Sequence, residues 1–439
     1  MVVAVSARGA QGDTFLQGLG GPTGLQNEYN QGPSPRNDRF LGSSTFIGAP
    51  YDWSGVGMSS GGSWATMISP TYFLSANHDH PAPGSTVTFH TGNSLSSPSF
   101  TYTVDNFYYQ TNYQDNGSDL CLERFTTPVD PRIAQYPVLA LPNDAAYIGV
   151  TNWTYGYPNR VGKNNIDSIQ NLGPPDMVGY GTTRVMYYGY NATGGQGPDE
   201  AYLEGGDSGG PSFAVVNNSL ALLGIHFVND GAVYNGAPSG DSFVPFYVNQ
   251  LDAQMTGGEQ VATVAPVPAT WKGTGGGSFT LASNWANNIV PNGLNAIANF
   301  SGSSTAPSMI TLDYSITLAA INFDSAHSYT IAGSANLTLE MPSGTAGVNV
   351  QAGNHEISVP VVINSDTVIS GAGTLELSGG ISGDHTLTVL GTLTATSVQV
   401  DTLAIGGAGA TSVPEPSTFV LLGLGVFGLL AWARRRPRV

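Results

Sequence analysis

The sequence predicts an all-β chain, and three observations lead there. Only 10% of its 439 residues are charged, while 58 glycines and 28 prolines punctuate it. Between those turn formers lie short runs of Val, Ile, Thr, Tyr and Phe, the composition of strands. In the C-terminal third, alternating triplets such as Leu337-Thr338-Leu339 and Leu375-Glu376-Leu377 recur at short intervals. The length predicts two domains. A net charge of −17 argues against a nucleic-acid partner and suits a solvated extracellular surface. The single cysteine, Cys121, excludes an intrachain disulfide and, inside an apolar run, reads as a small buried core residue.

Chemistry concentrates at Gly206-Asp207-Ser208-Gly209-Gly210-Pro211. A serine hydroxyl becomes a nucleophile when a base takes its proton and donors stabilise the resulting oxyanion. Flanking glycines let the backbone turn sharply and leave both the hydroxyl and main-chain N–H groups uncovered. A base and an acid are available upstream. The apolar run Phe73-Leu74-Ser75-Ala76-Asn77 delivers His78 at its end, and Asp119 opens the apolar run Leu120-Cys121-Leu122. Asp115 is the alternative acid, without a following apolar run. The order His, Asp, Ser is that of the chymotrypsin type and differs from the subtilisin and α/β-hydrolase orders. Steps of 41 and 89 residues suit a two-barrel enzyme with histidine and acid in the first half and serine in the second.

On these blocks the first 255 residues resemble a bacterial trypsin/chymotrypsin-like serine protease. Leu74-Ser75-Ala76-Asn77-His78 resembles the family's L-[ST]-A-A-H block, Asp119-Leu120-Cys121-Leu122 resembles D-I-A-L, and Gly206 to Pro211 matches G-D-S-G-G-P unchanged. Asn77 departs from the family's alanine. The resemblance implies a double β-barrel, Ser208 as nucleophile, His78 as base, and Asp119 as the group orienting the imidazole. It also implies an oxyanion hole from the backbone N–H groups of Gly206 and Ser208. Asp207 becomes a buried carboxylate that in the family pairs with a newly cleaved amine. Arg39-Phe40-Leu41-Gly42 faintly resembles the family's activation site, with Phe in place of Ile. The family's specificity pocket maps its base to Tyr202, with Glu204 as the alternative, and one wall to Gly224 through Asn229. His226 in that wall is either a substrate-side group or a buried strand histidine, so no cleavage preference follows. His80, two residues from His78, is the other histidine weighed as a ligand. No Glu or Cys stands near it at metal-ligand spacing, so neither a metal nor another cofactor is expected.

The sequence divides into a leader or pro-segment at 1–40, a protease domain at 41–255, a Gly/Ala/Val/Pro linker at 256–270, a β-repeat domain at 271–410 and a sorting segment at 412–439. The repeats suit a β-helix, with a β-sandwich as the alternative, and a binding, spacer or display role. Their opening, Trp271 to Phe300, resembles bacterial passenger-type repeat domains. Val413-Pro414-Glu415-Pro416, the apolar run Phe419 to Ala433 and the arginines 434–436 resemble the PEP-CTERM sorting signal of Gram-negative bacteria. That implies export, a hydrophobic helix anchored briefly in the inner membrane with its basic end cytoplasmic, and cleavage by an exosortase-type protease. Met1 to Ala7 is too short for a signal peptide, although Val5-Ser6-Ala7 resembles a cleavage site, and the true start is expected upstream. The reading is an exported serine endopeptidase acting on protein or peptide. Its rivals are a catalytically silent adhesion or matrix module and an esterase built on the same residues.

Overall fold

A computed structural model describes residues 36–41, 45–109, 117–173, 181–189, 196, 199–229, 238–273, 275–302 and 305–406, with the short strand pieces 3–4 and 15–16. Six antiparallel strands form a closed barrel: β1 Val56–Ser59, β2 Trp64–Met67, β3 Tyr72–Ala76, β4 Thr86–His90, β5 Ser99–Tyr109 and β6 Leu120–Phe125, in the order β1-β2-β3-β6-β5-β4. Strand period explains the sides. In β4, Val87 and Phe89 point inward to a core with Met67, Phe73, Val104 and Phe125, while Thr86, Thr88 and His90 are only partly covered. Every residue of β3 is buried, on both faces, and its one hydroxyl in the middle, Ser75, donates to Trp64 O. Phe73 stacks on Phe125 at 4.5 Å inside the barrel, whereas Leu74 and Ala76 join Leu120, Tyr155 and Phe213 in the core between the two halves.

The second half contains β7 Thr151–Gly156, β8 Arg160–Asn165, β9 Ser168–Leu172, β10 Thr183–Gly189, β11 Pro211–Val216, β12 Ser219–Asn229 and β13 Pro238–Phe243. They order as β8-β7-β11-β12-β13-β10-β9. The end strands β8 and β9 are joined through Ile166 and Asp167, but no ladder pairs them among the described residues, so this half is a curled sheet where a second closed barrel was expected. The β11–β12 hairpin turns on Asn217 and Asn218, at φ 50° and 63°, a left-handed pair that asparagine tolerates best among non-glycine residues. A short helix, α1 Val248–Gln254, closes this half.

The segment expected as a linker is docked. Glu259 accepts hydrogen bonds from Ser69 and Thr71, Val261 is buried, and Thr263–Val264 pairs in parallel with Val138–Leu139. Composition suggested a linker, and this stretch also supplies backbone partners that Val138 and Ala140 require.

Beyond it every ladder between strands of the described residues is parallel, with one isolated antiparallel bridge, Trp271 to Trp285. Ile297–Ser301, Ala320–Asp324, Ala346–Ala352 and Thr367–Ser370 stack in one column, and Ser308–Leu312, Tyr329–Gly333, Asn354–Ile357 and Thr374–Leu377 in a second. Ile316–Leu318, Leu337–Leu339 and Val361–Ile363 make a third. Like residues lie over like: Phe300 stacks on Phe323 at 5.2 Å, and Asn322 donates to Asn299 at 2.8 Å. A sandwich of antiparallel hairpins, the alternative reading, has no such pairing. The expected C-terminal helix falls in 407–439, outside the described residues. Among the described residues no helix is long and apolar enough to cross a membrane.

The two parts meet at the β11–β12 turn. Leu294 N donates to Val215 O at 2.8 Å, and buried Asn292 donates to Asn218 Oδ1 at 3.0 Å while accepting from Thr317 N at 2.9 Å. Gly293, at φ 103°, must be glycine, since a Cβ there would stand 2.0 Å from Val215 O. Truncating Asn292 to alanine strands these groups, and we expect a loss of about 1–3 kcal/mol in urea-unfolding stability; an unchanged unfolding midpoint would show that this junction contributes nothing.

Candidate active site

The site begins with strand register. β3 and β6 pair antiparallel with Ala76 opposite Leu120, so the residues just beyond Ala76 and just before Leu120 emerge side by side. Asn77 N donates to Asp119 O at 2.7 Å and extends the ladder, leaving His78 beside Asp119. The Asn77 side chain, unlike an alanine, donates to Ser118 O at 3.1 Å, so the polar departure is satisfied locally.

Asp119 is fully buried. Its carboxylate lies 2.8 and 2.9 Å from His78 Nδ1 and accepts from His78 N at 3.0 Å, while its own amide donates to Thr183 Oγ1 at 2.8 Å. Burial pushes the Asp119 carboxyl above its ordinary range, and the charge and hydrogen bonds of His78 work against that rise. With Nδ1–H committed to Asp119, the lone pair of Nε2 faces Ser208 Oγ at 2.9 Å.

Ser208 reaches that position from the second half. Gly206 at φ 104° and Gly209 at φ 81° bend the loop before β11. A side chain at Gly209 would stand 2.8 Å from Ser75 Oγ, so glycine permits the loop to press against β3. Trp64 Nε1 donates to Gly206 O at 3.1 Å, and Gly209 N and Gly210 O both bond to His226 of β12. Asp207 is fully buried. It accepts from Tyr157 N and Glu204 N, each at 2.8 Å, so main-chain amides hold the carboxylate for which the sequence suggested a cleaved amine. Arg39 is also buried, its guanidinium donating to His90 O and Gly92 O and its amide to Asn159 O. A protease acting after Arg39 would first have to extract that side chain from this fold.

The residues assigned to a specificity pocket are interior ones. Tyr202 and His226 are each 1% exposed, and Glu204 is 9% exposed. His226 stands between two acceptors, Nδ1 at 2.9 Å from Asp241 Oδ1 and Nε2 at 3.1 Å from Tyr155 O. Both nitrogens donate only in the imidazolium form. Burial pulls its pKa down, but the charge and hydrogen bond of Asp241, with Asp207 and Tyr155 O adding to them, hold it above the ordinary histidine value. Tyr188 donates to the same Asp241 oxygen at 3.0 Å.

Sequence reasoning missed Thr183, Trp64, Tyr157 and Asp241, which reach the site from elements without a motif. It also missed the neighbours of His80. In β6 the period of two puts Cys121 and Glu123 on the side that Asp119 begins, and the loop after His78 folds His80 over them. One donor atom from each of His80, Cys121 and Glu123 lies within 4.8 Å of the others. Asp115 lies outside the described residues.

Compared with known families, residues 47–247 match the trypsin family model. The chain carries a trypsin-like serine protease domain. Residues 412–436 match the PEP-CTERM protein-sorting motif, which implies bacterial export and processing by an exosortase. No curated protein matches the chain. In the protease domain both β3 and β12 contribute to the site, so the closure of the barrel on the curled sheet is what assembles it.

A charged His226 has a pH signature. Its folded pKa is raised, so its stabilisation is complete below about pH 6.5, the unfolded value, and is lost as pH climbs through the folded value. We expect the melting temperature of the protease domain to fall over that rise, and the fall to be abolished in His226→Gln/Asp241→Asn. Parallel wild-type and double-variant profiles would assign the pH dependence elsewhere.

Proposed function

We propose that the chain is an exported serine endopeptidase that cleaves peptide bonds through Ser208, His78 and Asp119. The observation that carries this reading is the continuous hydrogen-bonded path from Asp119 through the His78 ring to Ser208, with no distance above 2.9 Å along it. In this mechanism His78 Nε2 takes the Ser208 proton as Oγ attacks the substrate carbonyl. Asp119 keeps Nδ1 protonated and stabilises the imidazolium that forms. The N–H groups of Gly206 and Ser208 receive the oxyanion, an arrangement in which one donor supplies about 3 kcal/mol of transition-state stabilisation. His78 then returns the proton to the leaving amine. Water, activated by the same imidazole, releases the acyl group from Ser208.

The remaining regions take supporting roles in this reading. Residues 271–406 form a β-helix-type repeat that carries the protease away from its anchor, supported by parallel pairing and the stacked Phe300–Phe323 and Asn299–Asn322 rungs. The tail at 412–439 holds the protein briefly in the inner membrane of a Gram-negative cell until an exosortase removes it.

A fluorophosphonate probe tests the nucleophile. We expect one labelled serine per folded chain, lost in Ser208→Ala, and a fall of about 10⁴-fold in kcat for Asp119→Asn, which forces the wrong imidazole tautomer. Folded wild-type protein that stays unlabelled would instead make the chain a silent adhesion module. Turnover of esters without turnover of a peptide library would reassign the substrate class.

A further inference from the structure

We propose that His80, Cys121 and Glu123 bind a divalent cation of the zinc type, clipping the loop that carries His78 to strand β6. The proposal is independent of the peptidase reading. Its ligand set combines an imidazole, a thiolate and a carboxylate, the three donor types that zinc accepts. One donor atom from each lies within 4.8 Å of the other two. Tetrahedral zinc at ordinary bond lengths needs donors roughly 3.3–3.8 Å apart, so a small contraction closes the site.

The strongest indication is Glu123. It is 0% exposed, and neither carboxylate oxygen has a hydrogen-bond partner among the described residues. His80 Nδ1 stands 3.7 Å from Oε1, an ion pair when the imidazole is protonated but beyond hydrogen-bonding range. A buried carboxylate in that condition is costly unless a positive charge faces it. Cys121 adds a second buried group, a thiol in weak 3.9 Å contact with the Leu122 carbonyl and beside the Tyr108 backbone. Once both are deprotonated, a doubly positive ion leaves the cluster neutral, which suits its burial.

Access and geometry agree with this assignment. The His80 side chain is 17% exposed, so an ion enters past it and keeps a water in the fourth position. Phe107 packs against the imidazole at 4.9 Å and holds the ring over the strand. Cys121 and Glu123 are held two residues apart in a strand bonded on both sides. The bound ion would tie the Asn77–His80 loop to the strand that Asp119 begins.

The test uses the full chain as Ser208→Ala, which prevents self-digestion, after treatment with a chelator. Cobalt(II) should bind at one equivalent per chain and give a thiolate-to-cobalt charge-transfer band. Zinc should displace it and raise the melting temperature in a concentration-dependent way. Cys121→Ser should remove the band, and His80→Ala and Glu123→Gln should each weaken binding by more than about 100-fold, beyond the loss typical of outer-shell groups. Glu123→Gln also removes an uncompensated buried charge, so its metal-free form should melt no lower than the parent, which keeps the test valid if Cys121→Ser fails to fold. Absence of the band, or cobalt affinity equal in parent, His80→Ala and Glu123→Gln, would overturn the proposal.

Discussion

The clasp between Asp119 and His78 is the contact on which this molecule turns. A carboxylate with no solvent exposure keeps its charge only if its surroundings return what water would have given. Here one residue supplies both a ring nitrogen and a main-chain amide, and Thr183 fixes the backbone from the other half. The clasp rests on the β3–β6 register. Slipping that pairing by one residue would turn Asp119 to the opposite face and bring the wrong side chains of Phe73 and Leu74 to each core. Fold stability and site geometry are therefore set by the same ladder.

Three other buried carboxylates surround that centre, each compensated differently. Asp207 uses the amides of Tyr157 and Glu204, so the loop carrying Ser208 is tied to β7 and to itself. Asp241 uses an imidazolium and a phenol, locking β12 to β13 behind the serine loop. Glu123 has no hydrogen bond among the described residues and faces only the His80 ring, at 3.7 Å. In a chain with 10% charged residues, this gathering of buried acids marks where electrostatic work is done.

The parallel strands after residue 270 obey a simpler rule. Their core is a pile of apolar side chains in register, from Trp271 and Phe279 through Phe300 to Phe323, capped by the stacked ring of His355, with no buried ion pair between them among the described residues. Their junction with the protease domain runs through Asn292, Gly293 and Leu294 against the β11–β12 turn. β11 leads back to Ser208 within a few residues, so the repeats brace the strand that presents the serine.

Sequence alone determined the features that are local in the chain. The strand periods of β3, β4 and β6, the glycine-flanked serine, the histidine and acid at strand ends, and the spaced triplets of the repeats all depend on neighbours a few residues away. It could not determine where distant backbones meet. Whether Asp207 would find an amine or an amide, whether residues 256–270 would hang free or dock, and whether His226 would face substrate or Asp241 depended on segments tens to hundreds of residues apart. The same applies to Glu123. Along the chain it stands 43 residues from His80, and only closure of the barrel brings the imidazole over its carboxylate. Residue type and spacing carry chemistry when the partners share a motif. Once they come from different strands, register and packing decide.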